Sequence, residues 1–190
     1  MVIKVRKLTW AKYASGGNGS AVVYTGGKVD EDLVVRVDQS EERSNVAFYA
    51  DDHMIDRDNS ITSASLSIEM AKLSDEMLED VLGYVLDTAT IHVTGGEAPF
   101  VGVGFIYGYK YKGVASYRAY WYHKVQFSQG SRSFNTKQET TAYQTESLEG
   151  TAMAVQLDNT GTDCYFDQST ELTTEAAALA WLKSAAGISG

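Results

Sequence analysis

One cysteine and one proline stand in a chain of 190 residues. The lone Cys164 cannot close an internal disulfide, and its plain reading is a small buried hydrophobe. With Pro99 the only proline, no Pro-rich linker divides the chain, and it contains neither an internal repeat nor a low-complexity tract. No run approaches the roughly 18 apolar residues that a membrane-crossing helix needs, so no membrane insertion is expected. The opening residues, Met1-Val2-Ile3-Lys4-Val5-Arg6-Lys7, place charges where a signal peptide needs an apolar core, so secretion by that route is not expected. The glycosylation triplet Asn18-Gly19-Ser20 then carries little weight. Positive charge is also short, with 16 Lys and Arg against 25 Asp and Glu and a net charge of −9, which argues against a simple nucleic-acid-binding protein.

Catalytic constellations are equally scarce. His53, His92 and His123 show neither HExxH spacing nor a CxxC partner, so no zinc site is expected. There is no G-x-S-x-G elbow and no phosphate-binding glycine loop ahead of a helix. Cys164 with a distant histidine is weak ground for a nucleophile. Gly102-Val103-Gly104 lies within a strand pattern and reads as a bulge or a close approach. Asp52, Asp56, Asp58 and Asn59 offer oxygen ligands in one segment, but the glycine and the bidentate glutamate of a calcium loop are missing. The expectation is no enzyme, no metal and no cofactor.

What the chain does have is strand pattern. Its 12 Tyr and 17 Gly suit a β-rich fold. Ile61 to Ala71 alternates cleanly, with Ala64, Leu66, Ile68 and Met70 on one face and Ser63, Ser65, Ser67 and Glu69 on the other. Val2 to Tyr13, Ala21 to Thr25 (broken by Gly26-Gly27), Leu33 to Val37, Val46 to Ala50, Ser133 to Thr145 and Ser147 to Leu157 are further strand candidates. Phe100 to Tyr111 and Ser116 to Ser128 read as a hairpin. In its second strand Tyr117, Ala119, Trp121, His123, Val125 and Phe127 oppose Arg118, Tyr120, Tyr122, Lys124 and Gln126.

Two helices complete the reading. Ser74 caps an amphipathic helix to about Val85, with Asp75 and Glu76 in its first turn and Met77, Leu78, Val81 and Leu82 as its apolar stripe. Thr174 to Ala186 is an Ala-rich C-terminal helix with Leu179 and Leu182 inward. The expected fold is mainly β: an antiparallel β-sandwich or open barrel with one flanking helix and a C-terminal helix. It forms a single domain over 1–190, with a long loop at about 38–60 and a C-terminal extension at about 158–190.

Charge is unevenly spread. Ten acids and three arginines lie between Asp30 and Asp58, whereas Gly104 to Gln144 holds six Lys or Arg against Glu139 alone. Such separation suits complementary contacts between copies of the chain, or simply solvated faces. An aromatic strand carrying Lys110, Lys112, Arg118 and Lys124 resembles a single-strand nucleic-acid platform, against which the overall acidity counts.

Three groups of landmarks follow one another in order. The first is Phe48-Tyr49-Ala50-Asp51-Asp52, the alternating strand, and Leu78-Glu79-Asp80-Val81-Leu82-Gly83. The second is Ala98-Pro99-Phe100-Val101-Gly102-Val103-Gly104-Phe105. The third is Tyr117 to Phe127 followed by Thr145-Glu146-Ser147-Leu148-Glu149-Gly150-Thr151-Ala152. In order and spacing this resembles the major tail proteins of long-tailed phages of Gram-positive bacteria, over about Ala47 to Ala154. The resemblance implies a tail-tube fold, hexameric rings stacked into a tube, and inner strands closing a barrel around a lumen. It implies as partners the chain itself, a tape-measure protein, and tail terminator and baseplate proteins, with DNA passing through unbound. It also implies a place in the virion tail, with assembly in the host cytoplasm. No catalytic residues come with it.

On that basis Ser63, Ser65, Ser67 and Glu69 are candidate lumen-facing residues, or alternatively part of an ordinary outer face. Glu41, Glu42, Tyr49, Asp51, Asp52, Asp56 and Asp58 are candidates for contact with a neighbouring subunit. Two other classes stay open: a tail terminator or baseplate ring, and a carbohydrate-binding sandwich presenting Trp10, Trp121 or tyrosines.

Overall fold

The computed structural model describes residues 4–30, 33–130 and 145–188. The expected strand Ser133 to Thr145 lies almost wholly outside them.

Twelve strands and two helices make up the described chain: β1 (Lys4–Ser15), β2 (Val23–Val29), β3 (Val34–Arg43), β4 (Val46–Ala50), β5 (His53–Asp58), β6 (Ile61–Met70), α1 (Asp75–Leu82), β7 (Val85–Asp87), β8 (Thr90–His92), β9 (Phe100–Tyr111), β10 (Val114–Gln129), β11 (Glu146–Ala152), β12 (Phe166–Gln168) and α2 (Glu175–Ala185). The fold is mainly β with antiparallel pairing, as expected. Eight strands form one sheet in the order β2-β1-β9-β10-β11-β6-β3, with β12 added to β10, while β4-β5 and β7-β8 are separate two-stranded ribbons. The sheet curls so that β3 comes near β1 without hydrogen-bonding to it, which leaves an open barrel with a cleft at the seam lined by Val5, Val37, Phe105 and Tyr120.

Two cores form, one on each side of the central strands. The larger gathers Leu8, Trp10, Leu66, Ile68, Met70, Val101, Tyr122, Val125, Phe127 and Leu148 with the stripe Met77, Leu78, Val81 and Leu82 of α1. The smaller packs Ala178, Leu182 and Ala186 at the C-terminal helix against Ala11, Ile106, Ala119 and Trp121. The segment read as a C-terminal extension is thus built into the body: β12 pairs with β10, and α2 seals the second core. Both helices start at their expected caps, but α1 ends at Leu82, short of the expected Val85, which instead opens β7. Ser74 Oγ accepts from Met77 N, Thr174 Oγ1 accepts from Ala177 N, and Gly83 takes the left-handed conformation that ends α1.

Three expectations need correction. First, 38–60 is not a loop. β3 continues through the polar residues to Arg43, and Val46 to Asp58 folds back as the β4-β5 hairpin. Asp51 and Asp52 form its two-residue turn, with φ of 50° and 62°, the paired left-handed conformation that such turns require and that Asp tolerates. Second, Gly26-Gly27 does not break β2. The pair sits where two residues of β2 oppose Ala11 alone, so it makes a bulge inside a continuous strand. Third, the two faces assigned to Tyr117–Phe127 do not persist. Tyr122 pairs with Val103 and Val125 with Val101, so His123 and Lys124 form a bulge opposite Gly102. Beyond it the alternation changes sides: Trp121 lies in the smaller core, whereas Val125 and Phe127 join Tyr122 in the larger one.

Candidate functional site

The alternation of β6 is observed as expected. Ala64, Leu66, Ile68 and Met70 are buried, and Ser63, Ser65, Ser67 and Glu69 occupy the opposite face. Strand register extends that face sideways. Arg36, Asp38, Ser40 and Glu42 of β3 stand beside Glu69, Ser67, Ser65 and Ser63, and Ser147, Glu149 and Thr151 of β11 flank Glu69, Ser67 and Ser65. The result is a three-strand surface of small hydroxyls and carboxylates with no large apolar side chain. Its groups bind one another: Ser63 Oγ donates to Glu42 Oε2 at 3.1 Å, Ser67 Oγ to Glu149 Oε1 at 2.9 Å, and Thr145 Oγ1 to Glu69 Oε1. Arg36 is its one cation and is held by Asp38 at 2.8 Å.

The second feature is the β4-β5 hairpin. Val46, Phe48, Tyr49, Met54 and Ile55 each expose more than half of their surface. Of the loop candidates, Tyr49, Asp51, Asp52, Asp56 and Asp58 lie on this hairpin, with Asp51 and Asp52 at its tip. Glu41 and Glu42 lie at the end of β3, where Glu41 binds Arg43 at 2.9 Å. Asp56 and Asp58 accept from the backbone N–H of Arg57 and Ser60. Asp58 is held below the usual carboxylate range by its Ser60 hydrogen bonds. Among the described residues these acids do not converge into a metal-ligand cluster. An isolated two-stranded ribbon is marginal in water, and an exposed apolar one is a pairing surface.

A buried carboxylate holds α1 to the sheet. Asp80 takes Lys12 Nζ at 2.8 Å, Lys28 Nζ at 3.0 Å and Trp10 Nε1 at 3.3 Å. Burial acts to raise the Asp80 pKa, but the hydrogen bonds from Lys12, Lys28 and Trp10 outweigh it and the net shift is downward. A depressed carboxylate pKa stabilises the fold above the unfolded value of about 4, and that contribution is lost as pH falls through the lower folded value. Asp80→Asn is therefore expected to cost about 1–3 kcal/mol in urea unfolding at neutral pH. The gap to the parent should narrow on acidification, and a gap independent of pH would show that the ion pairs contribute nothing.

Sequence reasoning missed one cluster. The β10 bulge places His123 facing Cys164 and Asp167, more than forty residues later in the chain. His123 Nε2, Cys164 Sγ and a carboxylate oxygen of Asp167 lie within 4.8 Å of one another. Nε2 stands 3.2 Å from Asp167 Oδ2, and Sγ 3.6 Å from Asp167 Oδ1. Cys164 is not the simple buried hydrophobe expected. Burial first, and then the Asp167 charge, push its thiol up to about 11, so it is no activated nucleophile. Only the period-two slip at the bulge could have signalled this cluster, and a bulge is not legible from alternating residues.

The aromatic residues divide between the cores and the surface, where Tyr107, Tyr109, Tyr111 and Tyr120 line an open cleft with Arg118. Trp10 and Trp121 are buried, which removes them as a carbohydrate platform, and Trp121, Tyr122 and Phe127 are withdrawn from any run of stacking bases. Lys124 lies over the rings of Tyr13 and Phe100. No protein-family model matches this chain, and no curated protein matches it.

Proposed function

We propose that this chain is a structural subunit that polymerises with copies of itself into stacked rings forming a tube, as in a phage tail. The observation that carries the reading is the β4-β5 hairpin, which presents five large apolar side chains to solvent on a ribbon that packs into neither core. A second copy of the chain is the occupant the hairpin calls for. In the proposed assembly the hairpin reaches an adjacent ring, and the ten-residue edge strand β3 continues the sheet of the next subunit.

The polar face of β3, β6 and β11 supports the same reading. Lined up around a ring, Ser63, Ser65, Ser67 and Glu69 with Asp38, Glu42 and Glu149 give a smooth, negatively charged lumen. Such a wall repels phosphates, so DNA passes without adhering. In this proposal the partners are the chain itself, a tape-measure protein in the lumen, and terminator and baseplate proteins at the ends, all within a virion tail.

The test is negative-stain electron microscopy of the purified protein over a concentration series, with and without a crowding agent. Hollow tubes with a regular axial repeat are expected. Discrete rings that never stack would assign the chain to a terminator or baseplate ring instead, and monomer under every condition would overturn self-assembly.

A further inference from the structure

The His123–Cys164–Asp167 cluster has no part in the tube and poses its own problem. His123 is buried, yet its Nε2 has no hydrogen-bond partner of acceptable geometry, although Asp167 Oδ2 is 3.2 Å away. The other ring nitrogen is accounted for by Tyr24. The Tyr24 hydroxyl donates to the His123 carbonyl at 2.9 Å and accepts from Trp121 Nε1 at 3.0 Å, so its single proton is used. At 3.4 Å from Nδ1 it can act only as an acceptor there. Nδ1 therefore carries the ring proton, and in the neutral ring Nε2 presents a lone pair towards a carboxylate and a thiol. Two acceptors and a thiol sulfur within 4.8 Å of one another leave a place for a cation.

We propose that His123 Nε2, Cys164 Sγ and a carboxylate oxygen of Asp167 bind a thiophilic divalent transition-metal ion of the zinc type, with solvent at the fourth position. The chemistry of the donor set fits. Imidazole, thiolate and carboxylate are all zinc ligands, and a three-residue set leaves one open position. One thiolate and one carboxylate balance the charge of a divalent ion. Zinc–ligand bonds of about 2.0–2.3 Å put tetrahedral neighbours roughly 3.3–3.6 Å apart. Nε2 stands 3.2 Å from Asp167 Oδ2 and Sγ 3.6 Å from the other oxygen, Oδ1, and with one donor atom from each residue the set lies within 4.8 Å, so a small side-chain adjustment brings the three onto one ion. Tyr24 supplies the outer hydrogen bond that fixes the imidazole tautomer. Asp167 is half-exposed, which gives the ion a way in. Binding releases the Cys164 proton to solvent and forms the metal–sulfur bond; no oxidant or reductant is involved.

The site has a structural consequence. It ties β12, only three residues long, and the turn before it to the bulge of β10. The ion would act as a clip on the segment that leads to the C-terminal helix.

Cobalt(II) tests the proposal. Full-length protein, stripped with a chelator and titrated with cobalt(II) chloride, is expected to develop a sulfur-to-cobalt charge-transfer band and the intense visible bands of a tetrahedral site. Both should be displaced by zinc, with release of about one proton per ion. Cys164→Ser should abolish the charge-transfer band, Asp167→Asn should weaken binding, and Tyr24→Phe should weaken it about tenfold through the outer shell. Circular dichroism establishes that each variant is folded. A parent protein with no charge-transfer band at excess cobalt would overturn the site, as would cobalt binding unchanged by both Cys164→Ser and Asp167→Asn. In either case the cluster would be a histidine–carboxylate contact beside an inert thiol, and the tube proposal would be untouched.

Discussion

Replacing Phe48 and Ile55 together by aspartate is expected to abolish polymerisation while leaving a folded, soluble monomer. Both side chains are about two-thirds exposed and belong to a ribbon outside the main sheet. Substitutions at such surface positions usually change folding stability by no more than about 0.5 kcal/mol. An apolar anchor in an interface is worth about 2 kcal/mol or more, roughly thirtyfold in affinity. Two anchors, each also replaced by a charge that would be desolvated, should raise the critical concentration for assembly on the order of a thousandfold. Light scattering against concentration reads the shift, and circular dichroism reads the fold. Tubes that form from the double variant at the parental concentration would remove the hairpin from the assembly. Charge reversal at Glu41 and Glu42 is the companion experiment, since those acids sit at the end of the strand from which the hairpin springs.

The second large effect is expected in the smaller core. Trp121 is 1% exposed, stands edge-on to the Tyr24 ring at 5.2 Å between centroids, and donates its indole N–H to the Tyr24 hydroxyl. The space for the indole is made by Gly102 and Gly104. A Cβ at Gly102 would meet the Trp121 ring at 2.5 Å and one at Gly104 would meet it at 2.6 Å. Ring and glycines are therefore one fitted unit. Trp121→Ala leaves a void that two rigid strands and α2 cannot collapse around, and it leaves the Tyr24 hydroxyl short of a donor. The expected cost is about 3–5 kcal/mol, a large share of the roughly 5–15 kcal/mol that a domain has. Val114→Ala, at the exposed start of β10, should change stability by less than about 0.5 kcal/mol. Urea unfolding of the two variants side by side checks both values, and a Trp121→Ala cost below 1 kcal/mol (on the order of a surface change) would mean that α2 is not anchored there.

These residues also show how far the sequence could be read. β6, α1 and α2 were legible because each advertises its own period or cap: alternating Ser and aliphatic residues, Ser74 with two acids, Thr174 with an alanine stripe. The mainly β architecture followed from them. The hairpin at Val46–Asp58 was half-legible. Its first strand is apolar, but His53 to Asp58 is polar and reads as loop, because a ribbon with no core of its own need not alternate. Gly26-Gly27 misled for a related reason, since glycine marks a strand end and a bulge with the same letter. The polar face was legible on β6 alone. Its continuation through Asp38, Ser40, Glu42 and Glu149 depends on long-range register, which no local pattern encodes. The His123 cluster depends on a bulge and on a strand contributed from more than forty residues away, and neither leaves a local trace.

The two cores also set a timetable. β3 and β6 flank the hairpin and can pair as soon as residue 70 is made, so the β3–β6 part of the polar face and the projecting ribbon come early in synthesis, and β11 completes the face only at residue 152. β1 must wait for β9, almost a hundred residues later, and the second core closes only when α2 arrives. At a synthesis rate of about 5–20 residues per second, the apolar ribbon precedes the finished body by several seconds. Under the proposed self-assembly, nascent neighbours on a polysome would display their sticky arms before they have a stable partner surface to offer. Premature joining would then be held back by the late arrival of β9, β10 and α2, and the order of the chain itself would delay assembly until the body is complete.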